Sequence, residues 1–326
     1  MRKRKVCFRA DASDKIGYGH FVRSLAVADM VKDAFDCTFY TEQPTDDQRR
    51  QVLAVCPLVE LPVGEAKFQA FLDDLQGDEI VFLDNYFFTE DYQRAIKQRG
   101  CKLICLGTND RHYYADILLN FAESDPSIFS AEPYTQFKLG IQWTILRKPF
   151  RSVSRECRPA LTALQHLVVC FGGTDQYRLT EFSIQVIRQL ATGCAVTVVA
   201  TDRFGLARME ALRQQGVQVL MNVSAEELVA LFRQADALIC SASTIAHEGL
   251  ACGLPVLCGF YVDNQKRMYA YMEQQHLVLG LSDMLDEQFP ARLTEKLTQL
   301  SANDIPAPNF SYGDVRQRYL DLFNSL

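Results

Sequence analysis

Short apolar runs alternate with helical patterns from one end of the chain to the other. In the first half the runs "KVCFRA", "CTFYT", "EIVFLDN", "CKLICLG" and "DILLN" read as strands. Between them lie amphipathic stretches such as "FVRSLAVADMVKDAF", where Phe21, Leu25, Ala28 and Val31 or Lys32 recur at helical spacing. A second set, "HLVVCF", "AVTVVA", "VQVLM", "DALICS" and "LPVLCGF", repeats the alternation, each run followed by a helical pattern. One of those helices opens with Ser224 and has Glu227 three positions on, the S-x-x-E capping box. The final stretch, "YGDVRQRYLDLFNSL", is a further helix. Strands alternating with helices predict an α/β fold with parallel sheets and crossover helices.

Between the two sets, residues 147–161 ("RKPFRSVSRECRPAL") are charged and carry two prolines, as a linker commonly does. With 326 residues, enough for two domains, this predicts two tandem Rossmann-like domains, 1–150 and 151–326. The last helix is a candidate to pack back on the first domain. Ligands of such sheets bind outside the carboxyl ends of the strands, so the cleft between the domains is the expected active site.

Composition narrows the partners. Apolar residues make up 48% and charged residues 23% of the chain, an ordinary globular mixture. The formal charge of -6 argues against nucleic acid, which calls for a basic face. Eleven cysteines lie mostly inside apolar runs, as in a reducing cytoplasm. Cys101 and Cys105 are the nearest approach to a metal pair, and no second pair accompanies them, so no metal is expected. The basic amino terminus reaches an aspartate before any sustained apolar region, and no run is long enough to cross a membrane. A cytoplasmic protein without a membrane insertion is expected; the oligomeric state is not legible.

The richest motif is "DASDKIGYGHFVRSLAVADM". A dinucleotide fingerprint needs a third glycine where Val22 stands and glycine directly after the strand, and only Glu42 supports that reading. The alternative is that Gly17 and Gly19 form a tight turn, so that a helix starts near His20 with Arg23 and Ser24 on its face. His20 is then either a base or a helix-start residue that satisfies a backbone group. In the second half, "CFGGTD" puts Gly172, Gly173 and Thr174 between a strand and a helix start, where a phosphate fits as well as a plain turn. Ser241, Ser243 and Thr244 cluster at another strand end and helix start, a setting for a diphosphate. Glu248, one turn on, is either a ribose acceptor or a surface glutamate. His247 falls on a different face and reads as structural. Asn264 and Gln265 follow the next strand; capping is the ordinary explanation for Asn264 and a poorer one for Gln265.

"RADASDKIGYGHFVRSLAVA" resembles the R-x-D-x-S-x-x-I-G-x-G-H-x-x-R-x-L-x-L-A opening of the UDP-sugar hydrolases of pseudaminic acid biosynthesis, an opening shared by spore-coat polysaccharide proteins. "DNY" at 84–86, "ADILLN", "GIQWTILRKPF", "FGGTD", "SASTIAHE" and "NQ" follow in the family's order along nearly the whole chain. The resemblance implies a glycosyltransferase-B-like fold and hydrolysis of a UDP-sugar at the anomeric carbon, with C–O cleavage and inversion. It makes His20 the catalytic residue. Asp84, Tyr86 and Asp110 would hold sugar or water, Gly173, Thr174 and Ser243 would surround the diphosphate, Glu248 the ribose, and the main chain near Val223 the uracil. It implies no metal and no cofactor. Three departures bear on the sugar: Trp143 and Thr144 where the family often has Tyr-Ala, Asn109 where an aspartate pair is usual, and Asn85 where a histidine often lies. Transfer of the sugar to an acceptor, in surface polysaccharide synthesis, is the competing expectation, and a catalytically silent UDP-sugar-binding subunit is the third.

Overall fold

A computed structural model describes residues 3–13, 17–153, 163–172, 175–190, 193–302 and 311–326. The chain divides into two compact units, residues 1–148 together with 312–326, and residues 149–311.

The first unit is built on β1 (Lys5–Arg9), β2 (Asp36–Glu42), β3 (Leu58–Leu61), β4 (Ile80–Leu83) and β5 (Lys102–Leu106). A small two-stranded piece follows, β6 (His112–Tyr113) with β8 (Ser130–Ala131), and around it lie β7 (Ile117–Asn120) and β9 (Gln136–Leu139). The main sheet runs β3-β2-β1-β4-β5-β7-β9, every neighbouring pair parallel. Its central strands are buried on both faces, which is why β4 is apolar throughout and β1 is apolar over Val6–Phe8, with the buried Arg9 as the exception. One face carries Cys7, Val81, Leu83 and Leu103 against Phe71, Tyr92 and Ile96. On the other, Phe8 and Phe82 meet Phe323 of the carboxyl-terminal helix Val315–Asn324, which Phe35 also touches. That helix therefore completes the core of the first unit although it follows the second in sequence.

The second unit repeats the plan with β10 (His166–Cys170), β11 (Ala195–Ala200), β12 (Gln218–Met221), β13 (Ala237–Ser241), β14 (Val256–Phe260) and β15 (Leu279–Asp283). Its order is β12-β11-β10-β13-β14-β15, again all parallel. The capping box expected at Ser224 and Glu227 is present at the start of helix Ala225–Gln234. In each sheet the first strand lies centrally, with successive strands added to one side and then to the other. The order reverses between β1 and β4 and between β10 and β13, the positions at whose carboxyl ends open α/β sheets bind ligands.

Much of residues 147–161 lies outside the described residues, as do Gly173 and Thr174. The ten described cysteines are buried, and none forms a disulfide among the described residues. No helix among the described residues is long and apolar enough to cross a membrane.

Candidate functional site

The reversal between β1 and β4 brings together residues far apart in sequence. After β1, Gly17 adopts φ +84, a conformation costly for any residue with a side chain, and its N–H donates to the Ser13 carbonyl at 2.8 Å. Helix Gly19–Val31 begins two residues on, so His20 stands in its first turn. Gly19 is already helical and has room for a Cβ, so the turn itself requires only Gly17.

β4 ends at Leu83, and the next residue, Asp84, meets the histidine. His20 Nδ1 lies 2.7 Å from Asp84 Oδ1. Arg23, one turn along the helix, donates through Nε to Asp84 Oδ2 at 2.5 Å and through Nη2 to Oδ1 at 2.6 Å. The Ser24 hydroxyl donates to Oδ2 at 3.4 Å. Asp84 is 1% exposed. Burial by itself raises its pKa, but the Arg23 charge and the His20 contact outweigh that and hold the carboxyl below its ordinary range. Arg23 shows the mirror image: burial works against its charge, and Asp84 more than restores it.

Nδ1 also lies 2.6 Å from Arg23 Nη2, which can only donate. One ring nitrogen cannot both accept from Arg23 and donate to Asp84. An ionised carboxylate gains most from a further donor, so we assign the proton to Nδ1, directed at Asp84. Nε2 is then the ring's acceptor. The Tyr86 ring meets the imidazole edge-on, with centroids 4.5 Å apart and an interplanar angle of 87°.

Beside this cluster stands a second one that sequence reasoning missed. Arg9, 0% exposed, donates twice to the Asp11 carboxylate, once at 2.9 Å. Asp11 also accepts from the Glu42 N–H at 2.8 Å and pairs with Lys67 at 3.0 Å. Lys67 reaches Glu42 at 2.6 Å, and Gly64 N–H donates to the same carboxylate at 2.7 Å. The carboxylate on which a dinucleotide reading depended is therefore committed to the chain's own groups. The R-x-D spacing at the end of β1 was the available signal.

Asp110 lies beyond the end of β5. Its carboxylate, 57% exposed, is held by Arg111 at 2.9 Å and by the Thr108 hydroxyl; the Arg111 hydrogen bond, ahead of an opposing desolvation, lowers its pKa to about 2.

In the second unit Gly172 follows β10 with φ +85. The sequence places a helix start at Thr174; instead the helix runs Leu179–Leu190, and its first N–H groups at Leu179 and Thr180 donate to Asp175 at 2.9 and 3.0 Å. These two N–H groups are satisfied from within and are not available to a phosphate. Beyond the reversal, β13 delivers Ser241 and then helix Thr244–Ala251. The Ser243 hydroxyl donates to the Ser241 carbonyl at 3.3 Å and makes no side-chain cap to the helix. Glu248 is 4% exposed, which removes the surface-glutamate alternative. His247 is fully buried, and burial lowers its pKa to about 3, so it is neutral at physiological pH.

Asn264 is exposed in the first turn of helix Asp263–Gln274, but Val262 holds the cap position, so it is not the capping residue that its spacing suggested. Gln265 does not cap the helix either; its Oε1 accepts from the N–H of Tyr261, ahead of the cap, at 3.0 Å. The Tyr261 hydroxyl in turn donates to the Phe171 carbonyl at 3.1 Å, tying the end of β14 to the end of β10 beside Gly172. Val223 is half-buried between the end of β12 and the Ser224 cap. Gly172, Ser241, Ser243, Thr244, Val223 and Gln265 thus all stand at the carboxyl ends of neighbouring strands. Among the described residues no group of three or more His, Cys, Asp or Glu side chains could hold a metal ion.

The architecture is that of the glycosyltransferase-B enzymes, in which two Rossmann-like units are joined in one chain. Solved structures that share it include MurG of Acinetobacter baumannii, with TM-score 0.64, 13% identity and coverage of 99% of this chain and 100% of that one. LpCGTa in complex with UDP gives TM-score 0.59 at 14% identity, over 99% of both chains. In sequence, the chain is 23% identical over 282 residues to the UDP-2,4-diacetamido-2,4,6-trideoxy-beta-L-altropyranose hydrolase of Campylobacter jejuni, covering 83% of this chain and 97% of that protein. The resemblance carried by the opening motif is thus met by a curated relative along most of the chain. No protein-family model matches.

Proposed function

We propose that the protein is a metal-independent nucleotide-sugar hydrolase that releases UDP and a free 2,4-diacetamido-2,4,6-trideoxy sugar, a step toward a pseudaminic-type nonulosonic acid in the cytoplasm. The observation that carries this reading is the His20–Asp84 contact of 2.7 Å at the reversal of the first sheet. The similarity to a hydrolase of that name over 83% of the chain supports it.

On this reading a water molecule attacks the anomeric carbon while His20 Nε2 takes its proton. The new bond forms between water oxygen and carbon, the bond from carbon to the diphosphate oxygen breaks, and its electron pair leaves with UDP. Attack opposite the leaving group inverts the carbon. Asp84 holds the Nδ1 proton and stabilises the imidazolium as it forms. Such a base contributes about a hundred- to ten-thousandfold. Both oxygens of Asp84 are occupied by His20, Arg23 and Ser24, so it acts through the histidine and not on the sugar. Tyr86, Gly17, Gly19 and Arg23 would line the sugar's approach, with Asp110, Asn264 and Gln265 at its periphery. Ser241, Ser243 and Thr244 with Gly172, Gly173 and Thr174 would receive the diphosphate, whose charge fixed donors stabilise. Glu248 would accept from the ribose hydroxyls, and the main chain at Val223 would meet the uracil.

Sugar transfer is the second reading, favoured by a spinosyn rhamnosyltransferase and a UDP-glucosyltransferase of Polygonum tinctorium among the structural neighbours. Acceptor dependence separates the two. Hydrolysis predicts UDP release from the diacetamido UDP-sugar in water alone; release only after a sugar or lipid acceptor is added would establish transfer. His20→Asn is expected to bind UDP by calorimetry as the wild type does and to lose at least about a hundredfold in turnover. Full turnover in that variant would remove the base assignment.

A further inference from the structure

β1 and β4 pair as far as Arg9 and Leu83, and the main chain continues that pairing for one more bond, from Asp84 N–H to the Arg9 carbonyl at 3.2 Å. Beyond it a side chain takes over. Asn85 Oδ1 accepts from Asp11 N–H at 2.7 Å, and Asn85 Nδ2 donates to the Asp11 carbonyl at 3.2 Å. Asp11 N–H can only donate, which fixes the orientation of the amide. Both residues are buried. A primary amide that accepts from and donates to one residue's main chain supplies both halves of a strand pairing where the strands have already diverged.

The position of this clamp gives it leverage. Asn85 lies between Asp84, which holds His20 and Arg23, and Tyr86, whose ring rests on the imidazole. Asp11 precedes Ser13, whose carbonyl receives the Gly17 N–H just ahead of the helix that carries His20. The Asp11 carboxylate is anchored separately by Arg9, Lys67 and the Glu42 N–H. One amide therefore joins the strand end that bears the carboxylate to the segment that delivers the histidine.

We propose that Asn85 is a positioning residue for His20: by clamping the Asp11 main chain it fixes the Ser13 carbonyl that receives the Gly17 N–H, and so the distance from the imidazole to Asp84. This rests on the reading of His20 as the base. Small misplacements of a reacting group are costly, up to about a hundredfold for 1 Å. Asn85→Ala is expected to lower kcat on the order of tenfold or more, with KM within about twofold, because substrate binding stays with other residues. Asn85→Asp fills the same space, and circular dichroism checks that both variants keep the fold. It keeps the acceptor for Asp11 N–H, loses the donor to the Asp11 carbonyl, and should also lose kcat.

Two readouts need no turnover. Proton NMR of the wild type should show a low-field resonance from the Nδ1 proton held by Asp84, and both variants should shift or broaden it. Amide exchange at residues 10–13 should accelerate in both while circular dichroism stays unchanged. A variant pair with wild-type kcat, an unmoved resonance and unchanged exchange would overturn the clamp. If the wild type releases UDP from no UDP-sugar, the hydrolase reading fails, and the resonance and exchange still decide the role of Asn85.

Discussion

Asp84 meets two cationic or proton-bearing neighbours, His20 and Arg23, with a single carboxylate, and its burial makes that balance steep. Replacing it by Asn leaves Arg23 without its counter-charge, and breaking a buried pair in this way costs about 3–5 kcal/mol. Denaturant titration of Asp84→Asn should show that loss together with a loss of turnover. The folded pKa of Asp84 lies below the unfolded value of about 3.9, so its contribution is full above that value and is lost as pH falls through the folded value. Acid unfolding below about pH 4 should therefore be less steep in Asp84→Asn than in the wild type. His247 governs a higher window. Its folded value of about 3 lies below the unfolded value of about 6.5. The unfolded chain takes up the proton first, and stability falls as pH drops from about 6.5 toward 3, by roughly 1.4 kcal/mol per unit. Melting temperatures of His247→Gln between pH 4 and 6.5 should show a shallower slope; an unchanged slope would assign the acid sensitivity elsewhere. His20 was legible as a candidate because a glycine turn at a strand end precedes it. Its partner was legible only as a sugar contact, because a separation of 64 residues between His20 and Asp84 is bridged by sheet topology and not by spacing.

At the scale of elements, β3 (LVEL), β9 (QFKL) and β15 (LGLSD) were not read, and all three are sheet-edge strands; the fourth edge, β12 (QVLM), was read because its run is apolar after the first residue. An edge strand is paired on one side only and carries more polar residues, which weakens its apolar signature. The start of helix Leu179–Leu190 was misplaced for a different reason: Asp175, at φ +38, caps it four residues downstream, and an aspartate cap next to a glycine pair resembles a helix start. The carboxyl-terminal helix was read as a helix, and its sequence held the large apolar residues that join it to the first unit. Phe323 fills the space among Phe8, Phe35 and Phe82, so Phe323→Ala should destabilise by about 3–5 kcal/mol in chemical denaturation. Tyr319 is fully buried, and its hydroxyl donates to the Trp143 carbonyl at 2.7 Å.

At the scale of the molecule, the same reversal occurs in both sheets and gathers a different chemistry at each. The first holds a histidine between a carboxylate and a tyrosine ring; the second holds hydroxyls, a glycine turn and a buried glutamate. On the proposed reading the labour is divided accordingly, and calorimetry can resolve it. Glu248→Ala should weaken UDP binding on the order of tenfold, as loss of a charged hydrogen-bond acceptor does, while His20→Asn leaves binding unchanged. The central claim is that water, delivered by His20, attacks carbon. Incubation with the diacetamido UDP-sugar in oxygen-18 water, followed by mass spectrometry of both products, tests it directly. The account predicts the label in the released sugar and none in UDP; label in the phosphate of UDP, with an unlabelled sugar, would contradict it.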